Sequence, residues 1–212
     1  MNSIVQSFEN IKSLISNSNV KIIAVSKTFT YEHIKPLIDS GHIHFGENKV
    51  QEAQSKWLNC KKDNPKLCLH MIGKLQSNKA KEAVKLFDYI HSLDNQKLAN
   101  ILAKQENITN KKLKYFIQVN IGNEKQKAGI GVNFLDDFFY YCVKELKLNV
   151  IGLMAIPPNN DNANDYFKKL TELNKLLGLK ELSMGMSSDF KIALNYETTF
   201  VRLGSSIFGK RG

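Results

Sequence analysis

Short apolar, β-branched runs alternate along this chain with longer stretches whose apolar residues recur at three- and four-residue spacing. The runs fall at 20–26 (VKIIAVS), 43–45, 67–72 (LCLHMI), 89–93, 114–120 (KYFIQVN), 150–156 (VIGLMAI), 181–184 and 200–203. Each reads as a strand with apolar residues on both faces, the pattern of a sheet covered by helices. Between them, 31–40 carries Ile34, Leu37 and Ile38 at helical spacing, and 48–58 places Val50, Ala53, Trp57 and Leu58 on one side. The stretch 95–106 sets Leu98, Ile101, Leu102 and Gln105 in register, and 78–86, 134–146, 161–177 and 189–195 continue the helical series. Residues 1–16, with Ile4, Phe8, Ile11 and Ile15 on one face, predict an additional leading helix.

Strands that alternate with helices in this way predict an α/β fold with a parallel sheet. Eight such units point to a closed (β/α)8 TIM barrel, here a single domain over 1–212 and compact beside the usual ~250 residues. The rival is an open doubly wound sheet, which normally announces itself with a glycine-rich turn after the first strand. Here the first strand runs instead into Ser26-Lys27-Thr28. No linker rich in Pro, Gly or Ser divides the chain, and low-complexity sequence is confined to Asn159-Asn160-Asp161-Asn162.

Charge and cysteine content remove several functions. The net charge of +10 raises the question of nucleic acid. Of the 30 basic residues, however, only Arg202 and Arg211 are arginines, and base readers lean on the planar guanidinium fork. The lysines are scattered, which predicts a solvated cationic coat with a loose, salt-sensitive affinity for polyanions and no specific nucleic-acid site. No apolar run approaches a membrane span, and no secretory leader is visible at the N-terminus. Cys60, Cys68 and Cys142 are too few and too scattered for a disulfide framework or a zinc site, so a cytoplasmic protein is expected.

In a barrel, chemistry sits at the C-terminal ends of the strands. The first strand ends at Lys27, directly after Ile22, Ile23, Ala24 and Val25. A lysine leaving a buried strand is partly desolvated, and desolvation favours the neutral amine that forms a Schiff base. Taken alone, it reads rather as a surface lysine just past the strand end. The seventh and eighth strands end in Gly185 and Ser187 and in Gly204, Ser205 and Ser206, small residues ahead of helix starts. Such turns expose backbone N–H groups, and barrels often bind phosphate there; taken singly, they are ordinary caps and turns. Both loops together, opposite a first-strand lysine, suggest pyridoxal 5'-phosphate (PLP), whose aldehyde needs an amine and whose phosphate needs an anion cradle. Arg202, a permanent cation near the pyridine nitrogen, would disfavour ring protonation and weaken the ring as an electron sink.

At this level of detail the chain resembles the YggS/PROSC family of PLP-binding proteins, also called pyridoxal phosphate homeostasis proteins. The resemblance runs nearly end to end. It rests on AVSKT at 24–28, FGENKVQE at 45–52, HMIGKLQSNK at 70–79, HSLD at 91–94, VNIGNEKQKAG at 119–129, GLMAIPP at 152–158, LSMGMSSD at 182–189 and VRLGSSIFG at 201–209. It implies a barrel like the N-terminal domain of alanine racemase, with Lys27 as the Schiff-base lysine. Ser187, Gly204 and Ser205 match the phosphate-binding positions, Arg202 matches the arginine facing the pyridine nitrogen, and Asn48 lies in a motif beside the cofactor. It further implies a monomer without robust catalysis that keeps reactive PLP in balance and passes it to apo-enzymes. Two positions depart from the family pattern: Lys49 stands where Tyr is frequent, and Glu197 where Gly is frequent. Asn195 is then the expected holder of the left-handed conformation in the loop before the eighth strand.

Other polar residues carry less. His42 and His44 share one face of the second strand, but no third residue is spaced to complete a metal site. His70 and His91 are expected to line the barrel as hydrogen-bonded structural histidines, Trp57 to pack its helix, and Met154, Met184 and Met186 to fill the core or touch the cofactor. The competing function is a PLP-dependent amino-acid racemase. Racemisation needs a base on each face of the α-carbon, and alanine racemases take the second from an additional domain. The sequence given ends just after the eighth unit, so the binding protein is the expectation.

Overall fold

Among the residues that the computed structural model describes, 2–15, 19–158 and 162–209, the expected strands form and close into a barrel. They are β1 (Lys21–Val25), β2 (His44–Glu47), β3 (Cys68–Met71), β4 (Tyr89–Leu93), β5 (Lys114–Asn120), β6 (Val150–Met154), β7 (Glu181–Met186) and β8 (Phe200–Leu203). All neighbours pair in parallel, β1 joins β8, and the β4–β5 pairing completes the ring. A two-residue strand, Ile130–Gly131, extends the end of β5. Asn159, Asn160 and Asp161 of the polar patch, and Arg211, lie outside the described residues.

The helices are α1 (Ser3–Leu14), α2 (Tyr31–Asp39), α3 (Val50–Asp63), α4 (Ala80–Leu86), α5 (Gln96–Thr109), α6 (Leu135–Tyr140), α7 (Ala163–Leu176), α8 (Phe190–Ala193) and α9 (Ser205–Phe208). The leading helix α1 buries Ile4, Phe8 and Ile11, and the Asn2 side chain caps it by accepting from Ile4 N–H. Side-chain caps also start α2 at Thr30 and α5 at Asn95, each satisfying an otherwise orphaned N–H. The helical stretch predicted over 134–146 is interrupted: α6 gives way to a π-turn at Tyr141–Glu145, which buries Cys142. Burial pushes the Cys142 thiol up to about 12, so this cysteine packs as a small apolar group.

Two layers of core result. The larger lies between strands and helices and includes the fully buried Trp57, in contact with the Phe45 ring at a centroid distance of 4.8 Å. The smaller, Ile23, Tyr89, Phe116, Met154 and Phe200, forms a separate buried cluster on β1, β4, β5, β6 and β8. Close packing explains Gly152: a Cβ there would lie 1.8 Å from the Glu181 carbonyl oxygen on the adjoining β7.

One backbone expectation is corrected. Glu197 itself takes the left-handed conformation, with φ of 58°, while Asn195 lies inside a 3-10 turn at Leu194–Tyr196. Two contacts flank this turn, where a non-glycine residue costs ~1 kcal/mol. Lys175 Nζ pairs with Glu197 Oε1 at 2.5 Å, and Thr171 Oγ1 donates to the Tyr196 carbonyl at 2.9 Å.

Candidate functional site

All six residues singled out from the sequence converge on one cleft at the C-terminal ends of the strands. Lys27, Asn48, Ser187, Arg202, Gly204 and Ser205 line a space of about 490 Å³, within the range of small-molecule sites. Its apolar walls are Val25, Ile72, Ile156 and Met186. Met186 is thus the methionine that reaches the cleft, whereas Met154 and Met184 are fully buried core.

Lys27 lies two residues beyond β1 and is half-buried. Its backbone is held on both sides. Lys56, from α3, donates to the Ser26 carbonyl at 2.7 Å, and Glu52 accepts a short hydrogen bond from Thr28 N–H. Thr28 takes a positive φ of 70°, an unusual conformation for a β-branched residue. The Glu52 contact and the Lys56 anchor therefore sit where the chain bends to present Lys27. Lys56 is itself pinned by Glu47 at 2.9 Å, with side-chain exposures of only 6% and 0%. The same Glu47 oxygen accepts from Ser26 Oγ and from Trp57 Nε1, both at 2.8 Å. Sequence reasoning left Glu47, Glu52 and Lys56 without a role. The available signal was a carboxylate closing an apolar strand, followed by a helix carrying a lysine and an indole donor.

Asn48 follows β2 and packs against Gly73. A Cβ at Gly73 would come within 2.5 Å of the Asn48 carbonyl oxygen and 2.9 Å of its Cβ, so glycine is required to seat Asn48. Across the cleft, Ser187 Oγ and Ser206 Oγ lie 3.1 Å apart and tie the loop after β7 to the first turn of α9. Asp189 shapes the first loop by accepting from Met186 N–H at 2.6 Å. Gly185, with φ of 93°, turns the strand end in a conformation that favours glycine.

Arg202 is buried, at 4% exposure, in β8. Its Nη1 donates to the Ser183 carbonyl at 2.7 Å and to Ser183 Oγ at 2.8 Å, and its Nη2 donates to the Ala155 carbonyl at 3.0 Å. Among the described residues it makes no ion pair. Burial lowers its ionisation to about 10, opposed by the charge of Asp189, and it remains a cation at neutral pH. A guanidinium has five N–H donors; three are engaged by these contacts, which leaves donors at the cleft wall.

His70 and His91 are fully buried and hydrogen-bonded. His42 Nε2 is hydrogen-bonded to the His44 carbonyl, ahead of β2 rather than within it. Among the described residues, no group of three or more His, Cys, Asp or Glu is placed to hold a metal ion. No helix among them is long and apolar enough to cross a membrane.

The donor set has a definite chemistry: one half-buried amine, one caged guanidinium with spare donors, and two hydroxyl-bearing loops, between apolar walls. These residues fit an aromatic aldehyde that carries a phosphate. Over residues 1–212 the chain matches the family described as "Alanine racemase, N-terminal domain". The pyridoxal phosphate homeostasis protein of Vibrio cholerae is 36% identical, over 100% of this chain and 98% of that one. The protein of the same name from Aquifex aeolicus is 38% identical, over 90% and 87%. Among solved structures, PipY of Synechococcus elongatus with PLP bound superposes with a TM-score of 0.89 at 34% identity, covering 97% of this chain and 100% of that one. An alanine racemase of Clostridium difficile, at 14% identity and a TM-score of 0.76, covers 99% and 57% and is alike in fold alone.

Proposed function

The chain belongs to the pyridoxal phosphate homeostasis proteins, within the alanine racemase N-terminal domain family, and from that premise we propose that it holds PLP reversibly on Lys27 and keeps the cofactor available to apo-enzymes. The observation that supports this reading is the convergence of Lys27, Ser187, Gly204, Ser205 and the caged Arg202 on one cleft. When bound, the cofactor supplies an aldehyde that a lysine amine captures covalently and releases again. Lys27 is the amine. Ser187, Ser205 and the Gly204 backbone would hold the phosphate, and Asn48 and Arg202 would hold the ring.

That placement separates a carrier from an enzyme. A fixed cation beside the ring nitrogen disfavours its protonation, and an unprotonated ring is a weak electron sink. A panel of L- and D-amino acids followed for racemisation, decarboxylation and transamination is therefore expected to show turnover well below ~1 per second, the low end of ordinary enzymes. Turnover above that rate on any of them would replace the carrier reading with the racemase one.

The phosphate assignment has its own check. Ser187→Ala is expected to weaken binding of PLP by about tenfold, the loss of one hydrogen bond to a charged group, and to leave unphosphorylated pyridoxal unchanged. Equal losses for the two ligands, measured by absorbance titration, would place the phosphate elsewhere.

A further inference from the structure

Barrel interiors are ordinarily filled by bulky branched aliphatic side chains. This one contains a polar column. His44, at the start of β2, is hydrogen-bonded through Nδ1 to Nε2 of His70 on β3, at 3.0 Å. His70 Nδ1 meets His91 Nε2 on β4 at 2.9 Å, and His91 Nδ1 meets Ser183 Oγ on β7 at 2.8 Å. Ser183 Oγ accepts from Arg202, so the column ends on the guanidinium at the cleft wall. The rings are held by aromatic neighbours: His70 stacks on Tyr89 and His91 on Phe116, each at a centroid distance of 4.3 Å.

The direction of the column follows from Arg202. A guanidinium only donates, so Ser183 Oγ must accept from it, and a neutral imidazole has one donor and one acceptor nitrogen. If His91 Nδ1 also donated to Ser183 Oγ, the buried serine hydroxyl would have no acceptor among the described residues. Ser183 O–H therefore donates to His91 Nδ1. His91 Nε2–H then donates to His70 Nδ1, and His70 Nε2–H to His44 Nδ1. Every buried donor and acceptor of the column is used once. Reversal at His44 or His70 alone would set two N–H groups against each other, and reversal at His91 would leave the serine proton facing the Arg202 N–H.

The surroundings keep the column neutral. Arg202 stands at one end, and Lys21, Lys61 and Lys114 face the other, opposed by Asp88. Lys21 is itself 3.8 Å from Glu181, and Lys114 donates to the Tyr89 hydroxyl. Burial and these cations lower His44 to about 4 and hold His70 and His91 well below the ordinary histidine value.

We propose that Ser183, His91, His70 and His44 are positioning residues: a one-way column of neutral donors, running through the barrel interior, that fixes the Arg202 guanidinium and thereby the donors it offers to the ligand in the cleft. The identity of that ligand rests on the proposed PLP reading; the column itself does not.

The test has two arms. Long-range ¹H–¹⁵N spectra of the ¹⁵N-labelled chain without cofactor, at pH 7.5, report the tautomer of each histidine. His44, His70 and His91 are expected to carry their proton on Nε2, and a proton on Nδ1 of any of the three overturns the column. This arm needs no variant and no cofactor, so it stands apart from failure of the PLP reading. In the second arm, Ser183→Ala is expected to raise the PLP dissociation constant on the order of tenfold and to move the absorption maximum of bound PLP, with Ser183→Thr restoring both. An unchanged constant and spectrum in Ser183→Ala, or a loss that threonine does not restore, overturns the positioning role. If the alanine variant fails to fold, the tautomers of the unmodified chain decide.

Discussion

Lys56→Met is expected to destabilise the protein by about 3–5 kcal/mol, the range for breaking a buried ion pair from one side. The substitution keeps the length of the side chain and removes its charge. Glu47 would then be left as a fully buried carboxylate with only the Ser26 hydroxyl and the Trp57 indole as donors. The Ser26 carbonyl, next to Lys27, would lose its Lys56 partner as well. Urea denaturation measures the loss. The control is the double variant Lys56→Met with Glu47→Gln, which removes both charges while keeping an amide oxygen as acceptor for Ser26 Oγ and Trp57 Nε1, and it is expected to recover part of the stability. A single variant within ~1 kcal/mol of the parent would show that the pair contributes little.

A second large effect is expected on acidification. Burial lowers His42 and His44 to about 4 and His70 and His91 well below the ordinary 6.5. The sign follows from linkage: the unfolded chain binds protons at these sites more readily than the folded one. Their contribution is complete above the unfolded value of about 6.5 and is lost as pH falls from there towards 4. Each histidine that stays neutral in the fold while its unfolded counterpart is protonated costs about 1.4 kcal/mol per pH unit in that range, a large fraction of the stability of many domains. Denaturant midpoints should be flat above pH 7 and fall steeply below 6.5. Equal midpoints at pH 7.5 and 5.5 would mean that the histidines are not held neutral.

The barrel and the cleft were legible in the sequence because both depend on local pattern. Eight apolar runs with intervening helical periodicity give strand order directly when neighbours are parallel, and strand ends then name Lys27, Arg202 and the two serine–glycine loops. What escaped depends on register between distant elements. Nothing local in the 47–56 segment says that Lys56 reaches back under Ser26. The histidines at 44, 70 and 91 became a column only because β2, β3 and β4 pair with Gly46 opposite His70 and His70 opposite Tyr89. Helix ends were missed for a similar reason. The π-turn after α6 and the left-handed Glu197 have no local signature: Cys142 is buried in the first, and Thr171 from another helix donates to the Tyr196 carbonyl beside the second.

Lys27 is the residue proposed to capture PLP. Reduction of the PLP-loaded chain with borohydride, followed by proteolysis and mass mapping, tests it most directly. A pyridoxyl group on Lys27 and loss of the visible band in Lys27→Ala are expected. A pyridoxyl group found only on other lysines, with the band intact in Lys27→Ala, would contradict it.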